Sequence, residues 1–416
     1  MNRLDRRRRE KELKKRQKGM LDYPVLLNKF VENLKANRAS IPEVIYKKIA
    51  SDKNYHALHM FGSAAFKFQN YDLAVKLFEK ATALEPSNSS YCNDLGLALF
   101  NKNQNERAGE FLTKALDLDD TNFHAHINLA NLRKLQGDLS GALESLEKAF
   151  SLNPTYENIH IIRGEVFLEL GEAHAALQSL DRALKLAPAN PWALSLKSIA
   201  LQLIDDIDEF EELMNFSAFI CTRKMEIPKG FKTLEGFNSR LGNYIETHRM
   251  LTKEPPHIST RKGSQTLGNI LEDKNHLIEV MKEQIEEAVE YYIGKLPKTL
   301  EHEFFSSIPS AFRLEGWGVQ LERQGYQEPH IHRGAWLSGV YYVSLGQIVG
   351  KDDSQGWIEF GRGPAQYYLN NDQPSSYLLC PEEGTFVLFP SYFWHRTIPF
   401  EKNQNRISFA FDVVGR

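Results

Sequence analysis

The chain has 416 residues, of which 42% are hydrophobic and 25% are charged, a composition typical of a globular protein with two or three domains. Cys92, Cys221 and Cys380 are too few and too far apart for a disulfide framework or a zinc site, which favours a reducing, cytoplasmic location. No apolar run reaches the roughly 18 residues of a membrane span, and no secretory signal pattern occurs, so neither is expected.

The first 20 residues form a basic arm. They carry ten Lys or Arg against three acidic residues, a charge of +7, whereas the whole chain has a net charge of −3. Such an arm could contact nucleic acid, a membrane surface or an import receptor, or it could be a solvated helix that lies on the acidic remainder of the chain. No aromatic residue interrupts the charges, and the acidic remainder would repel phosphates, so nucleic acid is not the expected partner.

Residues 55–190 repeat with a period of 34. Alanine occupies positions 20 and 27 of every unit, a large apolar residue occupies position 24, and proline occupies position 32 of three units. Small residues are needed where two helices cross closely, and proline ends a helix. Position 8 reads Gly62, Gly96, Ala130 and Gly164, in units that start at Tyr55, Ser89, Phe123 and Glu157. The pattern resembles the tetratricopeptide repeat.

Segments on both sides of these units complete the predicted array. Residues 21–54 have the apolar pattern of a helical cap, and a degenerate fifth unit begins at Pro191, so that the array extends over 55–218. Stacked helix pairs form a solenoid with a concave groove. The expected occupant of the groove is a protein or peptide. The array could instead serve as a rigid spacer or dimerisation element.

From about Phe219 the period of 34 residues is lost. A helical pattern covers Lys274–Gly294. Short segments rich in Val, Tyr, Phe and Trp follow it, with turns between them, which predicts an antiparallel sandwich or jelly roll in a domain of residues 219–416. These segments are Phe312–Glu322, Leu337–Leu345, Trp357–Phe360, Ser376–Leu379, Thr385–Phe389 and Ile407–Val413.

Three histidines have a spacing that suits a metal site in such a domain. His330 and His332 are two residues apart and would point to one face of an extended segment. His395 follows at the end of another predicted strand and could complete one face of an octahedron, as in non-haem iron sites. Arg406 lies eleven residues further on, where a strand arginine could bind a carboxylate in bidentate fashion.

Together these residues resemble the iron(II)- and 2-oxoglutarate-dependent oxygenases, and more narrowly the oxygenase family often fused to tetratricopeptide repeats. The resemblance implies an α + β multidomain protein, with an α-helical repeat solenoid followed by a double-stranded β-helix (jelly roll) and flanking helices. It implies Fe(II), 2-oxoglutarate and O2 as cofactor and co-substrates, and it allows for ascorbate. The narrow match rests on residues 260–269, 329–343, 384–395 and 405–411.

The resemblance also implies roles for single residues. His330 and His395 would be iron ligands, and Arg406 would bind the distal carboxylate of 2-oxoglutarate. Ser408 could add a hydrogen bond to that carboxylate, and Tyr342 matches a strand tyrosine that often does the same in related hydroxylases. Tyr342 and Ser408 are equally consistent with interior positions of the barrel.

The departure from the broad superfamily is at His332, because those enzymes usually carry an acidic residue two places after the first histidine. We predict that His332 binds iron as a neutral imidazole and completes a set of three histidines. Two other interpretations stay open. His332 could stand aside, leaving water or an added anion in its place, or the metal site could be lost. Glu328 and Glu359 are nearby carboxylates, but neither has the required spacing.

The expected function is therefore that of an iron(II)- and 2-oxoglutarate-dependent dioxygenase, which hydroxylates a protein or peptide recruited by the repeat groove. Hydroxylation of a small molecule is one alternative. A second is a non-catalytic interaction scaffold whose β-helix domain is degenerate. A third is a cupin-like binding or isomerase domain, which would need a metal but no keto acid, and which Arg406 disfavours.

Overall fold

A computed structural model describes the chain over residues 22–35, 40–256, 258–296, 302–306, 308–346, 353–368, 375–402 and 404–415. The predicted basic arm of residues 1–20 lies outside these described residues. The chain divides into two compact units, of which the first ends at Thr155 and the second begins at Tyr156.

The first unit consists of paired helices, and the helix starts agree with the 34-residue register. Helices begin at Tyr55, Ser89 and Phe123 because an asparagine precedes each start and its side chain accepts a hydrogen bond from a backbone amide of the first turn. The helices are α1 (Tyr23–Lys35), α2 (Ser40–Asp52), α3 (Tyr55–Lys67), α4 (Tyr71–Leu84), α5 (Ser89–Asn101), α6 (Asn105–Leu118), α7 (Phe123–Leu135) and α8 (Leu139–Leu152).

Small residues at position 8 allow the two helices of a repeat to approach closely, as the sequence predicts. A Cβ atom added to Gly96 would lie 2.8 Å from Cγ of Leu112, and one added to Gly62 would lie 2.6 Å from Cε1 of Phe78. The large residue at position 24 therefore fills the space that the glycine leaves.

The second unit begins with further paired helices, including the degenerate fifth repeat. Its long helix, α15 (His276–Lys295), lies where the sequence predicts a helix over Lys274–Gly294. Among the described helices, none combines the length and apolarity needed to cross a membrane. The helices are α9 (Glu157–Glu169), α10 (Ala173–Leu186), α11 (Pro191–Leu203), α12 (Ile207–Leu213), α13 (Phe216–Phe219), α14 (Leu234–Glu246), α15 (His276–Lys295) and α16 (Glu303–Ser306).

The strands of the second unit form an antiparallel sheet that curls into a half-barrel. The strands are β1 (Cys221–Lys224), β2 (Leu251–Lys253), β3 (Thr260–Thr266), β4 (Phe312–His330), β5 (Leu337–Ser344), β6 (Ile358–Phe360), β7 (Tyr377–Leu379), β8 (Thr385–Pro390), β9 (His395–Thr397) and β10 (Arg406–Gly415). In spatial order the main path is β1-β8-β5-β10-β4-β9-β6-β7, with β3 paired to β4 and β2 paired to β3.

The predicted fold class is confirmed, since helical repeats precede an antiparallel β domain. All six predicted strand segments are present, but β4 is 19 residues long and continues to His330, well beyond the predicted end at Glu322. His395 is the first residue of β9, and so begins a strand rather than ending one. β1 and β2 are short edge elements that the apolar pattern does not reveal.

We expect Gly96→Ala to lower the free energy of unfolding by roughly 1–3 kcal/mol, because the new methyl group overlaps the side chain of Leu112. Gly294→Ala is the matched control, since a Cβ atom there meets nothing within 4 Å. That change lies at an exposed position of α15 and should raise stability by about 0.5–1 kcal/mol. Thermal and urea unfolding followed by circular dichroism would measure both. Equal effects of the two changes would contradict the packing role of Gly96.

Candidate metal centre

Three histidines come together where β4 ends and β9 begins. His330 and His395 are paired directly in the antiparallel register of these two strands, and their ring centroids are 4.2 Å apart. His332 lies two residues beyond β4, and its ring centroid is 5.2 Å from each of the other two. Each histidine offers one potential ligand atom, and these three atoms all lie within 4.8 Å of one another. The predicted cluster of histidines therefore forms.

The hydrogen bonds of the three imidazoles define which nitrogen of each ring can bind a metal. Nδ1 of His330 donates to the carbonyl oxygen of Glu328 at 2.7 Å, and Nδ1 of His395 donates to that of Phe393 at 3.0 Å. Nδ1 of His332 donates to Oδ1 of Asp412 at 2.5 Å. Carbonyl and carboxylate oxygens only accept, so each proton is assigned to Nδ1 and the lone pair to Nε2. Metal-binding histidines have this arrangement.

Burial keeps the imidazoles of His330 and His395 neutral. It lowers the pKa of His330 to about 3, with a smaller contribution from the charge of His332. Burial also holds the pKa of His395 well below its ordinary value, and the charges of the other two histidines add to the effect. A neutral imidazole is the form that binds a metal ion, so near neutral pH no proton competes for these two side chains.

Strand β10 brings the predicted anion-binding residues to the same cavity. Arg406, Ser408 and Ala410 alternate along β10 and point to one face, and Ser408 lies directly opposite Tyr342 of β5. All six predicted site residues line this one cavity. Its other lining residues are Trp317, Gln327, Gly339, Val340, Ile358, Phe389, Thr397 and Ala410.

Arg406 and Tyr342 present polar atoms to the cavity without partners. Arg406 is 2% exposed, and its Cζ lies 5.0 Å from the centroid of the Tyr342 ring. Within the described residues, neither Nε of Arg406 nor the hydroxyl of Tyr342 has a hydrogen-bond partner. Burial lowers the pKa of Arg406 and raises that of Tyr342. A buried guanidinium without an acidic partner is costly, and a carboxylate in the cavity would relieve that cost.

Asp412 is a site residue that the sequence reasoning missed. It accepts hydrogen bonds from His332 and, at 2.7 Å, from Oγ of Ser338, and its side chain is 13% exposed. It continues the alternation of Arg406 and Ser408 along β10, which is the signal that could have identified it.

The two glutamates considered in the sequence are engaged elsewhere. Oε2 of Glu328 lies 2.6 Å from a guanidinium nitrogen of Arg261. The buried carboxylate of Glu359 accepts from Nε of Arg396. Both carboxylates are therefore neutralised by arginines, which agrees with their unsuitable spacing.

Two segments of the chain match models of known protein families. Residues 315–412 match the family model described as "Putative 2OG-Fe(II) oxygenase", where 2OG is 2-oxoglutarate. Residues 59–123 and 127–191 match a tetratricopeptide-repeat model. The chain thus contains tetratricopeptide repeats within residues 59–191 and, over residues 315–412, a segment that matches an oxygenase family of the 2OG-Fe(II) type. The matched oxygenase segment contains all six predicted site residues and Asp412.

Several solved structures are similar to part of the chain. A MamA protein is 20% identical, with 39% of this chain and 88% of that chain covered and a TM-score of 0.34. A thermophilic repeat protein in Thermus thermophilus is 22% identical, with coverages of 39% and 89% and a TM-score of 0.35. PilW, a type IV pilus biogenesis factor, is 16% identical, with coverages of 47% and 91% and a TM-score of 0.40. No curated protein matches the chain.

We expect Arg406→Met to raise the melting temperature of the protein in a chelating buffer without ligand, because the change removes a buried guanidinium whose Nε has no hydrogen-bond partner within the described residues. The gain should be about 1 kcal/mol or more in the free energy of unfolding. Addition of Ni(II) with 2-oxoglutarate should stabilise the wild type and have less effect on the variant. A lower melting temperature for ligand-free Arg406→Met would show that the guanidinium contributes to packing instead.

Proposed function

We propose that the β domain is an iron(II)- and 2-oxoglutarate-dependent dioxygenase that hydroxylates a C–H bond of a protein or peptide. The observation that carries the proposal is that one cavity contains three histidines, each with Nδ1 anchored, and a buried arginine whose Nε has no hydrogen-bond partner within the described residues. The family match of residues 315–412 supports the same class of enzyme.

In this proposal, His330, His332 and His395 would hold the iron through Nε2. Three protein ligands on one face leave positions for a chelating co-substrate and oxygen. Ligation by His332 is favoured over the alternative in which it stands aside, because Asp412 fixes its tautomer and orientation as ligand histidines require. The broad superfamily usually supplies an acidic residue as a direct metal ligand. Here the carboxylate of Asp412 would not touch the metal and would act through its hydrogen bond with His332.

Arg406 would bind the distal carboxylate of 2-oxoglutarate with its fork of donors. Ser408 and the hydroxyl of Tyr342 lie on facing strands and would complete the binding of the same group. Apolar side chains such as Val340 and Phe389 line the remaining wall and would exclude water.

Iron(II) with 2-oxoglutarate and O2 supplies oxidative decarboxylation to succinate and CO2, coupled to hydroxylation of an unactivated C–H bond. The part left to this chain is to bind and orient these groups and to keep the cavity dry. Three neutral ligands keep the metal site positive, which favours chelation by the anionic co-substrate.

A protein or peptide substrate is proposed from the repeats, since tetratricopeptide arrays generally mediate protein–protein interactions. The proposed domains are a basic arm over residues 1–20, a helical cap over 21–54, a repeat array over 55–218 and the oxygenase domain over 219–416. A cytoplasmic location is part of the proposal, and the small number of cysteines in the sequence is consistent with it.

The direct test is anaerobic binding of Fe(II) and 2-oxoglutarate, followed by succinate release when oxygen is admitted. We expect His330→Ala and His395→Ala to abolish iron retention, and Arg406→Ala to raise the Kd for 2-oxoglutarate at least tenfold. His276→Ala is the matched control, because this histidine lies on α15 with a side chain 68% exposed, and it should behave as the wild type.

Each failure of this test points to a different alternative. A wild type that binds neither iron nor the keto acid would leave the non-catalytic scaffold. Metal binding without keto-acid binding would favour the cupin-like domain. Succinate release that responds to small molecules but to no protein would favour the small-molecule hydroxylase.

We expect Asp412→Asn to weaken metal binding by about 10–100-fold, because the amide keeps the shape of the side chain but removes its charge from His332. Competitive titration with Co(II), followed by absorbance, measures this affinity. Ser338→Ala is the control, since it removes the other hydrogen bond to Asp412 and leaves the charge unchanged. Unaltered affinity in both Asp412→Asn and His332→Ala would indicate a site with two histidines.

A further inference from the structure

One face of α11, the first helix of the fifth repeat, packs against the segments that carry two of the candidate ligands. Trp192, Ser195, Ile199 and Gln202 are spaced by three, four and three residues, which places them along one side of the helix. Each of them contacts a residue of the β domain, and all of these contacts lie within the second compact unit.

The segment before His395 is attached to this face by Trp394. Its indole Nε1 donates to the carbonyl oxygen of Ser195 at 2.8 Å, and its ring meets that of Trp192 edge to face, with centroids 5.5 Å apart. Trp394 is 3% exposed and immediately precedes His395 in the chain. The helix therefore fixes the backbone from which the His395 imidazole projects.

The segment after His332 is attached to the same indole. Cζ of Arg333 lies 3.3 Å from the centroid of the Trp192 ring, a stacked cation–π contact. Arg333 directly follows His332, so Trp192 touches the chain neighbours of two different histidines.

The loop after β6 is held against the far end of the same helix face. Nε2 of Gln202 donates to the carbonyl oxygen of Gly361 at 3.1 Å, while the amide of Gly361 donates to the carbonyl oxygen of Trp394 at 2.9 Å. Gly363 is packed so closely that an added Cβ atom would lie 2.7 Å from Cδ1 of Ile199. The helix face thus supports Trp394 both directly and through this loop.

We infer that Trp192 is a positioning residue for the metal centre, through which the last repeat sets the placement of the imidazoles of His395 and His332. The inference rests on the proposed function in that these histidines bind iron. Trp192 is not among the residues that line the cavity of the three histidines, and it acts through Trp394 and Arg333. One face of the fifth repeat then supports the metal centre, and the repeat array is more than a recruiting element.

The test is titration of the metal-free full-length chain with Co(II) alone, with the visible absorption spectrum of the bound ion recorded for each variant. We expect Trp192→Ala to lower Co(II) affinity about tenfold or more and to alter the spectrum, as loss of outer-shell support does. Trp192→Phe keeps an aromatic ring against Trp394 and Arg333, and it should retain affinity within about threefold and the wild-type spectrum.

Leu201→Ala is the matched control for simple loss of stability. Leu201 is fully buried and lies on the opposite side of α11 from Trp192, so its truncation should lower the melting temperature at least as much. It should leave the Co(II) affinity and spectrum as in the wild type. Arg333→Gln changes an exposed residue, and it carries the test should Trp192→Ala fail to fold, with an expected loss of affinity through His332.

The outcomes separate the two proposals. A wild type that does not bind Co(II) overturns the proposed function and this inference with it. A wild type that binds Co(II), together with Trp192→Ala and Arg333→Gln variants of unchanged affinity and spectrum, overturns this inference alone. Equal losses of affinity in Trp192→Ala and Leu201→Ala also overturn it, since they would reflect general destabilisation.

Discussion

The pairing of β4 with β9 is the constraint on which the candidate centre depends. It places His330 directly opposite His395, and the bulge in the register between Gln327 and His330 determines which residue of β4 faces the second histidine. The side-chain period of a strand is two, so a shift of one residue would turn His330 to the other side of the sheet. The geometry of the ligands is therefore a consequence of backbone hydrogen bonds, reinforced by the carbonyl groups of Glu328 and Phe393 that orient the two imidazoles.

Strand β10 connects the two groups of candidate site residues. Arg406 and Ser408, the proposed anion-binding residues, line the cavity, and Asp412, further along the same alternating face, accepts the hydrogen bond of His332. β10 pairs with β4 on one side and with β5 on the other, so it is among the best-supported strands of the sheet. Arg406 and Asp412 lie on the same strand, so the regular rise per residue fixes the distance between them. A loop would hold the two side chains less precisely.

Local patterns and one specific residue spacing could be read from the sequence, whereas the other contacts between distant segments could not. The repeat register predicted the helix starts at Tyr55 and Ser89 because capping and close helix crossing depend on neighbouring residues. The histidine cluster was predictable because the residue types and their spacing are specific. Asp412 was missed because its partner lies in the turn after β4, 80 residues away. The role of Trp192 depends on a helix that contacts residues about 140 and 200 positions further along, and no periodicity encodes such contacts.

Asp412 also has a consequence for the charge balance of the site. With neutral imidazoles, the guanidinium of Arg406 and the carboxylate of Asp412 cancel, so the buried groups of the site carry no net charge by themselves. In the proposed function, a divalent cation or a dianionic keto acid that enters alone would leave two uncompensated charges in this buried cavity, whereas the two together would leave none. Each ligand would therefore lower the cost of admitting the other, and by thermodynamic linkage the two affinities would rise by the same factor.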